Sequence, residues 1–411
     1  MPAPPPPGRP LAVPHVAAVW APLAGSWFLM GLELPAVSAV MARLPHPAVS
    51  LAAYGGVIFP IALLIESPIL MLLAASTALA RDERSFALIR RFLLLAGGAT
   101  TLVHVLLAFT PLFDVVAARW IGVPPEVREP ARLGLRILLP WSLSIAYRRA
   151  HQGLLIRFGR PQAVTYGTLV RLVTEAAVLA AGAGWGRLPG IAVGTSAVAC
   201  GVVSEGLYAG LAARPIRRGP LRAAAVVEPP LDMRGFVRFY APLAATPLIN
   251  FIALPLAAAA MSRMPRPLES LAAWPVLSGI TFTLRSTGFA FNEVVVAQLE
   301  AWRPVRALRR FATLLSVAVS AVMLVAAVTP LAHWWFGRAS ALAPPLAGLA
   351  TAAFWLMIPA PALSVWQSWY QGALVHAHRT RAITESMLVL LVATALVLAA
   401  GVAAPRAPGL F

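Results

Sequence analysis

Charge is what this sequence has least of: 12% of its 411 residues are Asp, Glu, Lys or Arg, against about 25% in a soluble domain whose surface faces water. Lysine is missing altogether, so all 33 basic side chains are arginines. The single cysteine, Cys200, excludes an intramolecular disulfide and a metal site built from several thiolates. No Gly-rich loop ending in Lys-Ser/Thr is present, which argues against an ATP-driven pump within this chain. No His-Glu-x-x-His, nucleophile elbow or paired-carboxylate motif stands out either. The expectation is a protein that is not an enzyme, with no metal and no cofactor beyond a coupling proton or sodium ion. A compact basic–apolar–small-residue pattern is also lacking at the N-terminus, so no cleaved signal peptide is expected. Pro4 to Pro7 cannot start a helix, and residues 1–10 read as a disordered Pro-rich tail.

What is present is apolar. Hydrophobic residues make up 59% of the chain and the mean hydropathy is +0.78. A bilayer crossing needs about 20 mostly apolar residues. Eleven stretches qualify: 12–42, 48–79, 88–111, 130–156, 162–184, 188–212, 235–262, 268–299, 308–331, 343–371 and 382–403. The fold class predicted is an all-α polytopic membrane protein.

The net charge of +18 could point to nucleic acid, but its distribution points elsewhere. Arginines fall in short clusters between apolar runs, which is the positive-inside pattern. Loops after the even-numbered spans hold Arg81, Arg84, Arg90 and Arg91, then Arg148, Arg149, Arg157 and Arg160, then the group from Arg214 to Arg238. Arg303 to Arg310, Arg379 and Arg381 follow. They outnumber those on the other side by roughly two to one, which predicts a cytoplasmic N-terminus and an integral protein of a bacterial cytoplasmic (inner) membrane. Partners expected are the lipid bilayer and a small-molecule or lipid-linked substrate, with no nucleic acid and a monomeric chain.

The most informative pattern is an internal repeat. Trp20-Ala21-Pro22-Leu23-Ala24 returns as Tyr240-Ala241-Pro242-Leu243-Ala244, Leu34-Pro35 as Leu254-Pro255, and the stretch Met41 to Tyr54 as Met261 to Trp274. After one deletion, Arg90-Arg91-Phe92 matches Arg309-Arg310-Phe311, Thr110-Pro111-Leu112 matches Thr329-Pro330-Leu331, Pro140 matches Pro359, and Gln152-Gly153 matches Gln371-Gly372. One register held across five spans means duplication. Six spans per unit, an even number, make the copies parallel, and the second copy ends after its fifth span. The domains expected are an N-terminal lobe over 11–212, a basic cytoplasmic linker over 213–233 and a C-terminal lobe over 234–411. Two such bundles would enclose a central cavity that rocking exposes to either side.

Pro35 and Pro255 occupy equivalent places in the first helix of each copy, and each removes a backbone hydrogen bond, so both are hinge candidates. Ionisable groups inside membrane helices cost about 2.5–3.5 kcal/mol on insertion scales and usually face a cavity or partner. Candidates for substrate or coupling-ion contact are Glu33, Glu66, Arg136, Arg171, Glu175, Arg285 and Glu293, together with Asn250; His104, Glu205 and Glu385 are weaker. The repeat pairs Glu33 with Ala253, Glu66 with Ser286, Arg171 with Leu390 and Glu175 with Thr394. Scaffold positions recur between copies and charged positions do not, as expected for an asymmetric site. Arg171 and Glu175, four apart, share a helix face and can neutralise each other. Arg285 and Glu293 lie two turns apart on another face, open to a salt bridge or a site contribution.

Paired six-helix units, prolines in spans one and seven and the Gln-Gly…Gly-Arg segment resemble the multidrug/oligosaccharidyl-lipid/polysaccharide (MOP) exporter superfamily, which includes the MATE transporters. Gly31-Leu32-Glu33, Ser50 to Gly55, Arg81-Asp82-Glu83-Arg84 and His151-Gln152-Gly153-Leu154-Leu155 most resemble its progressive ankylosis branch. The resemblance implies a MATE-like two-lobe bundle with a central cavity and rocker-switch transport, with Glu33 at that branch's helix-one acidic position. The missing twelfth helix departs from the pattern. The function expected is secondary active export of a small organic or anionic solute. A flippase for a lipid-linked precursor, or a cation/drug antiporter driven by protons or sodium, are the alternatives.

Overall fold

The computed structural model describes residues 10–377, 379–404 and 407–411. The expected N-terminal tail lies outside them except for Pro10, as does Arg406. In chain order the first copy forms α1 (Val13–Gly31), α2 (Glu33–Met41), α3 (Pro47–Leu51), a π-helical segment (Ala52–Ile58), α4 (Phe59–Glu66), a 3-10 turn (Ser67–Ile69) and α5 (Leu72–Leu79). It continues with α6 (Glu83–Phe109), α7 (Leu112–Asp114), a second π segment (Val115–Ile121), α8 (Pro125–Ile137), α9 (Trp141–Arg157), α10 (Gln162–Trp185) and α11 (Gly190–Ala212). Two short helices, α12 (Arg214–Arg218) and α13 (Pro220–Ala223), occupy the linker. The second copy forms α14 (Met233–Arg263), α15 (Pro267–Gln298), α16 (Pro304–Val328), α17 (Leu331–Trp334) with a π segment (Trp335–Ala339), α18 (Pro344–Met357), α19 (Ala360–His376) and α20 (Thr380–Ala403). No strand occurs among the described residues.

Nine helical stretches among the described residues are long and apolar enough to cross a membrane, and each overlies one of the eleven expected spans. The other two expected spans are helical as well. One is split by a turn at 138–140 into α8 and α9, of 13 and 17 residues. The other is α15, 32 residues long, whose hydropathy is lowered by hydroxyls and by Arg285, Asn292 and Glu293. Apolar side chains stay exposed along these helices; Val389 and Val397 on α20 are about 70% exposed. The chain is an integral membrane protein, and those surfaces suit a hydrocarbon solvent.

The helices pack into two compact units that cut across the repeat. One holds the chain up to Ala39, Ala273–Leu390 and Leu410–Phe411; the other holds Val40–Ala272 and Leu391–Gly409. In the first, α1 lies against α16, and α16 against α19. Val16, Val19, Phe291, Leu308, Phe311 and Val365 form its core. In the second, α9 is the central helix, packed by α5, α6, α10 and α11.

The duplication is written in the backbone as well as the sequence. His46 and Arg266, at equivalent positions, are both left-handed (φ 56° and 57°) and both precede the proline that opens the next helix. Gly122 and Ala341 are also equivalent and also left-handed, each just after a π segment. Thr110 and Thr329 each end a long helix by donating a hydroxyl proton to the carbonyl four residues back, at 2.6 Å.

Candidate functional site

Helix one loses one rung of its hydrogen-bond ladder beside Glu33. α1 ends at Gly31 and α2 opens with Glu33, and Leu32 between them keeps helical angles (φ −75°, ψ −16°), its N–H bonded to the Phe28 carbonyl and its carbonyl to the Ala36 N–H. The cause is two residues downstream: Pro35 has no N–H, so the Gly31 carbonyl has lost its partner four residues on. A lone carbonyl at membrane depth must be satisfied from elsewhere. Thr283 of α15 does so, its hydroxyl lying 2.7 Å from the Gly31 oxygen and 3.0 Å from that of Gly279. Glycine is needed here, since a Cβ on Gly31 would lie 2.8 Å from the Thr283 Cα. Gly279 makes the matching allowance, where a Cβ would lie 3.1 Å from the Pro35 ring. Trp20 and Trp27 fix α1 above this point, donating indole protons to the Thr287 carbonyl (2.9 Å) and to Glu293 (3.3 Å). Glu33 is half-buried in the first turn of α2.

Helix two of the first copy is also irregular. It passes from α3 through a π segment into α4, then into a 3-10 turn around Pro68 before α5. Pro68 frees the Leu64 carbonyl, and the Ser67 hydroxyl donates to it at 2.8 Å. Tyr240 of α14 donates to the Pro68 carbonyl at 2.5 Å. Glu66 sits at this bend, buried, and accepts a hydrogen bond from the Trp141 indole of α9.

A second constellation lies inside the unit built around α9. Arg148 of α9 pairs with Glu205 of α11, and both side chains are at most 6% exposed. Gln152 donates to the other Glu205 oxygen at 3.0 Å. Arg171 of α10 pairs with Glu175 at 2.8 Å and reaches Glu205 at 3.9 Å. Gly201 of α11 leaves room for the Glu175 carboxyl, whose Cδ would be 2.8 Å from a Cβ there. Arg149 and Glu66 lie within electrostatic reach of the same groups, so three arginines balance three glutamates. Arg148 Nε, Arg149 Nε and Gln152 Oε1 are buried with no hydrogen-bond partner among the described residues, which marks the interior as able to take a water or an anion.

These placements revise several expectations. Arg148 and Arg149 belong to α9 rather than to a cytoplasmic loop; ion pairing with Glu205 allows Arg148 to be buried where positive-inside counting assumed water. His151, Gln152 and Gly153 are likewise helical and buried. A Cβ on Gly153 would lie 2.6 Å from the Ser76 side chain of α5, and one on the equivalent Gly372 would lie 2.8 Å from Val295 of α15. The shared Gln-Gly motif is therefore a site of close helix approach in both copies. Arg285 and Glu293 take separate partners: Arg285 donates to the Ser364 hydroxyl at 2.7 Å and lies over Phe289, while Glu293 accepts from Trp27.

The remaining candidates are scattered. Asn250 is exposed on α14. Arg136 donates to the Ala108 carbonyl at 3.1 Å and lies over Phe109. Pro255 sits within an uninterrupted α14. His104 is fully buried, 2.9 Å from the Leu135 carbonyl, and Glu385 pairs with Arg381 on the surface of α20. Sequence reasoning missed Thr283 and Ser67, the hydroxyls that satisfy carbonyls freed by prolines, and Tyr240, which donates to the Pro68 carbonyl. A proline's fourth-preceding carbonyl can be read from sequence, but the donor lies in the same turn or on another helix.

No family model and no curated protein matches the chain. Solved structures do. An inward-facing multidrug resistance MATE family transporter of the MOP superfamily superposes with a TM-score of 0.69 at 16% identity, covering 95% of this chain and 92% of that one. The eukaryotic MATE transporter AtDTX14 gives 0.58 at 12% identity, with 95% of each chain covered. A MOP superfamily transporter from Pyrococcus furiosus gives 0.52 at 15% identity, covering 95% and 97%. The chain thus has the fold of MATE transporters of the MOP superfamily.

Proposed function

We propose that this protein is a secondary active transporter that exports a small organic or anionic solute by alternating access, with Glu33 coupling transport to a proton or sodium gradient. The observation that carries the reading is the hydrogen bond that helix one lacks between Gly31 and Pro35, with the Glu33 carboxylate beside it. A membrane helix short of one rung is a place where it can bend, and an ionisable side chain at membrane depth serves a cavity or a partner. Protonating Glu33, or binding a cation to it, changes the charge at that point and with it the local preference for the bend. The Thr283 hydroxyl supports this geometry without freezing it, because its single proton is within reach of both the Gly31 carbonyl and the Gly279 carbonyl of its own helix. The shared fold supports the reading, since its solved examples include transporters.

The test is uptake in proteoliposomes with a panel of organic anions, organic cations and lipid-linked saccharides, with and without proton and sodium gradients. The expected result is gradient-driven flux of a soluble solute that falls about tenfold or more in Glu33→Gln, the order expected when an essential charge is lost. Undiminished gradient-driven flux in the variant would remove Glu33 from coupling. Movement of the lipid-linked saccharide alone would replace export with flipping.

A further inference from the structure

At one end of the α9-centred unit lies a cleft of about 630 Å³ lined by Arg90, Arg214, Arg217, Arg218 and Arg222, with Glu83 as its only acid. Among the described residues Glu83 pairs only with Arg222, at 3.4 Å. Five guanidinium groups facing one carboxylate repel one another unless an anion joins them. The arginines are held by buried apolar neighbours: Ile216 and Leu221 anchor α12 and α13, and both are about 2% exposed. The floor is aromatic. Phe86 and Tyr147 line the cleft, and between them sits buried His151, whose ring centroid is 4.1 Å from that of Tyr147 and 5.7 Å from that of Phe86.

The geometry points to a phosphate-binding cleft, and we infer that its occupant is the phosphate headgroup of an anionic phospholipid. Arginine forks match phosphate oxygens in paired hydrogen bonds. Basic pockets at the ends of membrane helices are where lipid headgroups collect. The cleft opens beside the ends of membrane-crossing α6 and α11, so a lipid reaches it with its acyl chains still in the hydrocarbon. The inference does not depend on what the protein transports.

The experiment is binding of a fluorescent phosphatidylglycerol to the delipidated full chain in detergent. Three proteins are compared: wild type, the triple variant R214Q/R217Q/R218Q, and a control triple R306Q/R309Q/R310Q that removes equal charge from exposed α16 positions. The cleft triple should bind about tenfold or more weakly and the control within about twofold of wild type. In competition on the wild-type chain, unlabelled phosphatidylglycerol should displace the probe, while phosphatidylcholine and inorganic phosphate at the same concentration should not. Equal weakening in both triples would reduce the effect to net charge and overturn the inference. Displacement by inorganic phosphate as strong as by phosphatidylglycerol would overturn the lipid assignment in favour of a soluble anion. Should the cleft triple not fold, the competition series decides the question alone.

Discussion

Helix one of the first copy and its equivalent in the second carry the same Leu-Pro pair, yet in the first the carbonyl that Pro35 frees is met by Thr283 of another helix, while α14 runs as one element from Met233 to Arg263 through Pro242, Pro247 and Pro255. Helix two repeats the contrast: Pro68 lies in a 3-10 turn, whereas the equivalent Gly288 lies within continuous α15. A proline removes one hydrogen bond wherever it stands. The missing bond at Pro35 coincides with a neighbour that can approach and donate. Gly31 admits Thr283, and its equivalent in the second copy is Phe251, whose ring denies any helix so close a contact. The first copy also carries the buried ion network. Its equivalents in the second are Leu390 for Arg171, Thr394 for Glu175 and Gln367 for Arg148. Duplication kept the scaffold, while irregular backbone and intramembrane charge are concentrated in the first copy.

The largest expected effect that sharpens this comparison concerns the network. Arg148→Ala takes the nearest cation from buried Glu205 and leaves it Gln152 and the more distant Arg171; removing one partner of a buried ion pair costs about 3–5 kcal/mol. Gln367→Ala, at the equivalent half-buried position, should cost about 1 kcal/mol or less. Thermal unfolding in detergent, followed by loss of the monodisperse peak, checks both. Equal shifts in the two variants would mean that the network is not what distinguishes the halves.

A smaller effect is expected at the helix starts. Asp82 caps α6, accepting from the Ser85 N–H at 2.7 Å and from the linker's Val227 N–H at 2.8 Å. Burial pushes its carboxyl up, but the Val227 and Ser85 donors and nearby Arg84 outweigh it and hold the carboxyl below the usual aspartate range. A depressed acid stabilises the fold above its ordinary titration range, near pH 4, and that stability is lost as pH falls through the folded value. α16 begins after Arg303 with no side-chain cap. Acidification should therefore loosen the start of α6 before that of α16 in amide hydrogen exchange, and Asp82→Asn, which keeps a capping oxygen but cannot titrate, should abolish the difference. Simultaneous loosening in the wild type would contradict the assignment.

Much of this architecture was legible because it follows from composition and periodicity. Apolar run length marked the spans, and the constant offset between Met41–Tyr54 and Met261–Trp274 marked the duplication. The pairing of Arg171 with Glu175 followed from helical spacing alone. What the sequence left open depended on contacts between distant segments. Arg148 and Gln152 read as part of a basic cytoplasmic loop, and only the approach of α11 with Glu205 turns them into a buried cluster. Arg285 and Glu293 share a face, but Ser364 and Trp27, from other helices, claim them separately. The π segments carry no local signature that the hydrophobic pattern could reveal, because one extra residue per turn leaves an apolar run apolar.

The central claim is that the Gly31 carbonyl freed by Pro35 and met by Thr283, rather than proline at that repeat position as such, is the working point of transport. Pro35→Ala restores the N–H that the Gly31 carbonyl lacks and sets it in competition with Thr283, whereas Pro255→Ala restores the equivalent bond within α14. Gradient-driven solute flux in proteoliposomes, measured for both variants at matched protein density, tests this most directly. The prediction is a loss of about tenfold in Pro35→Ala, comparable with other hinge substitutions that alter turnover, and flux within about twofold of wild type in Pro255→Ala. Equal losses in the two, or a loss confined to Pro255→Ala, would contradict it.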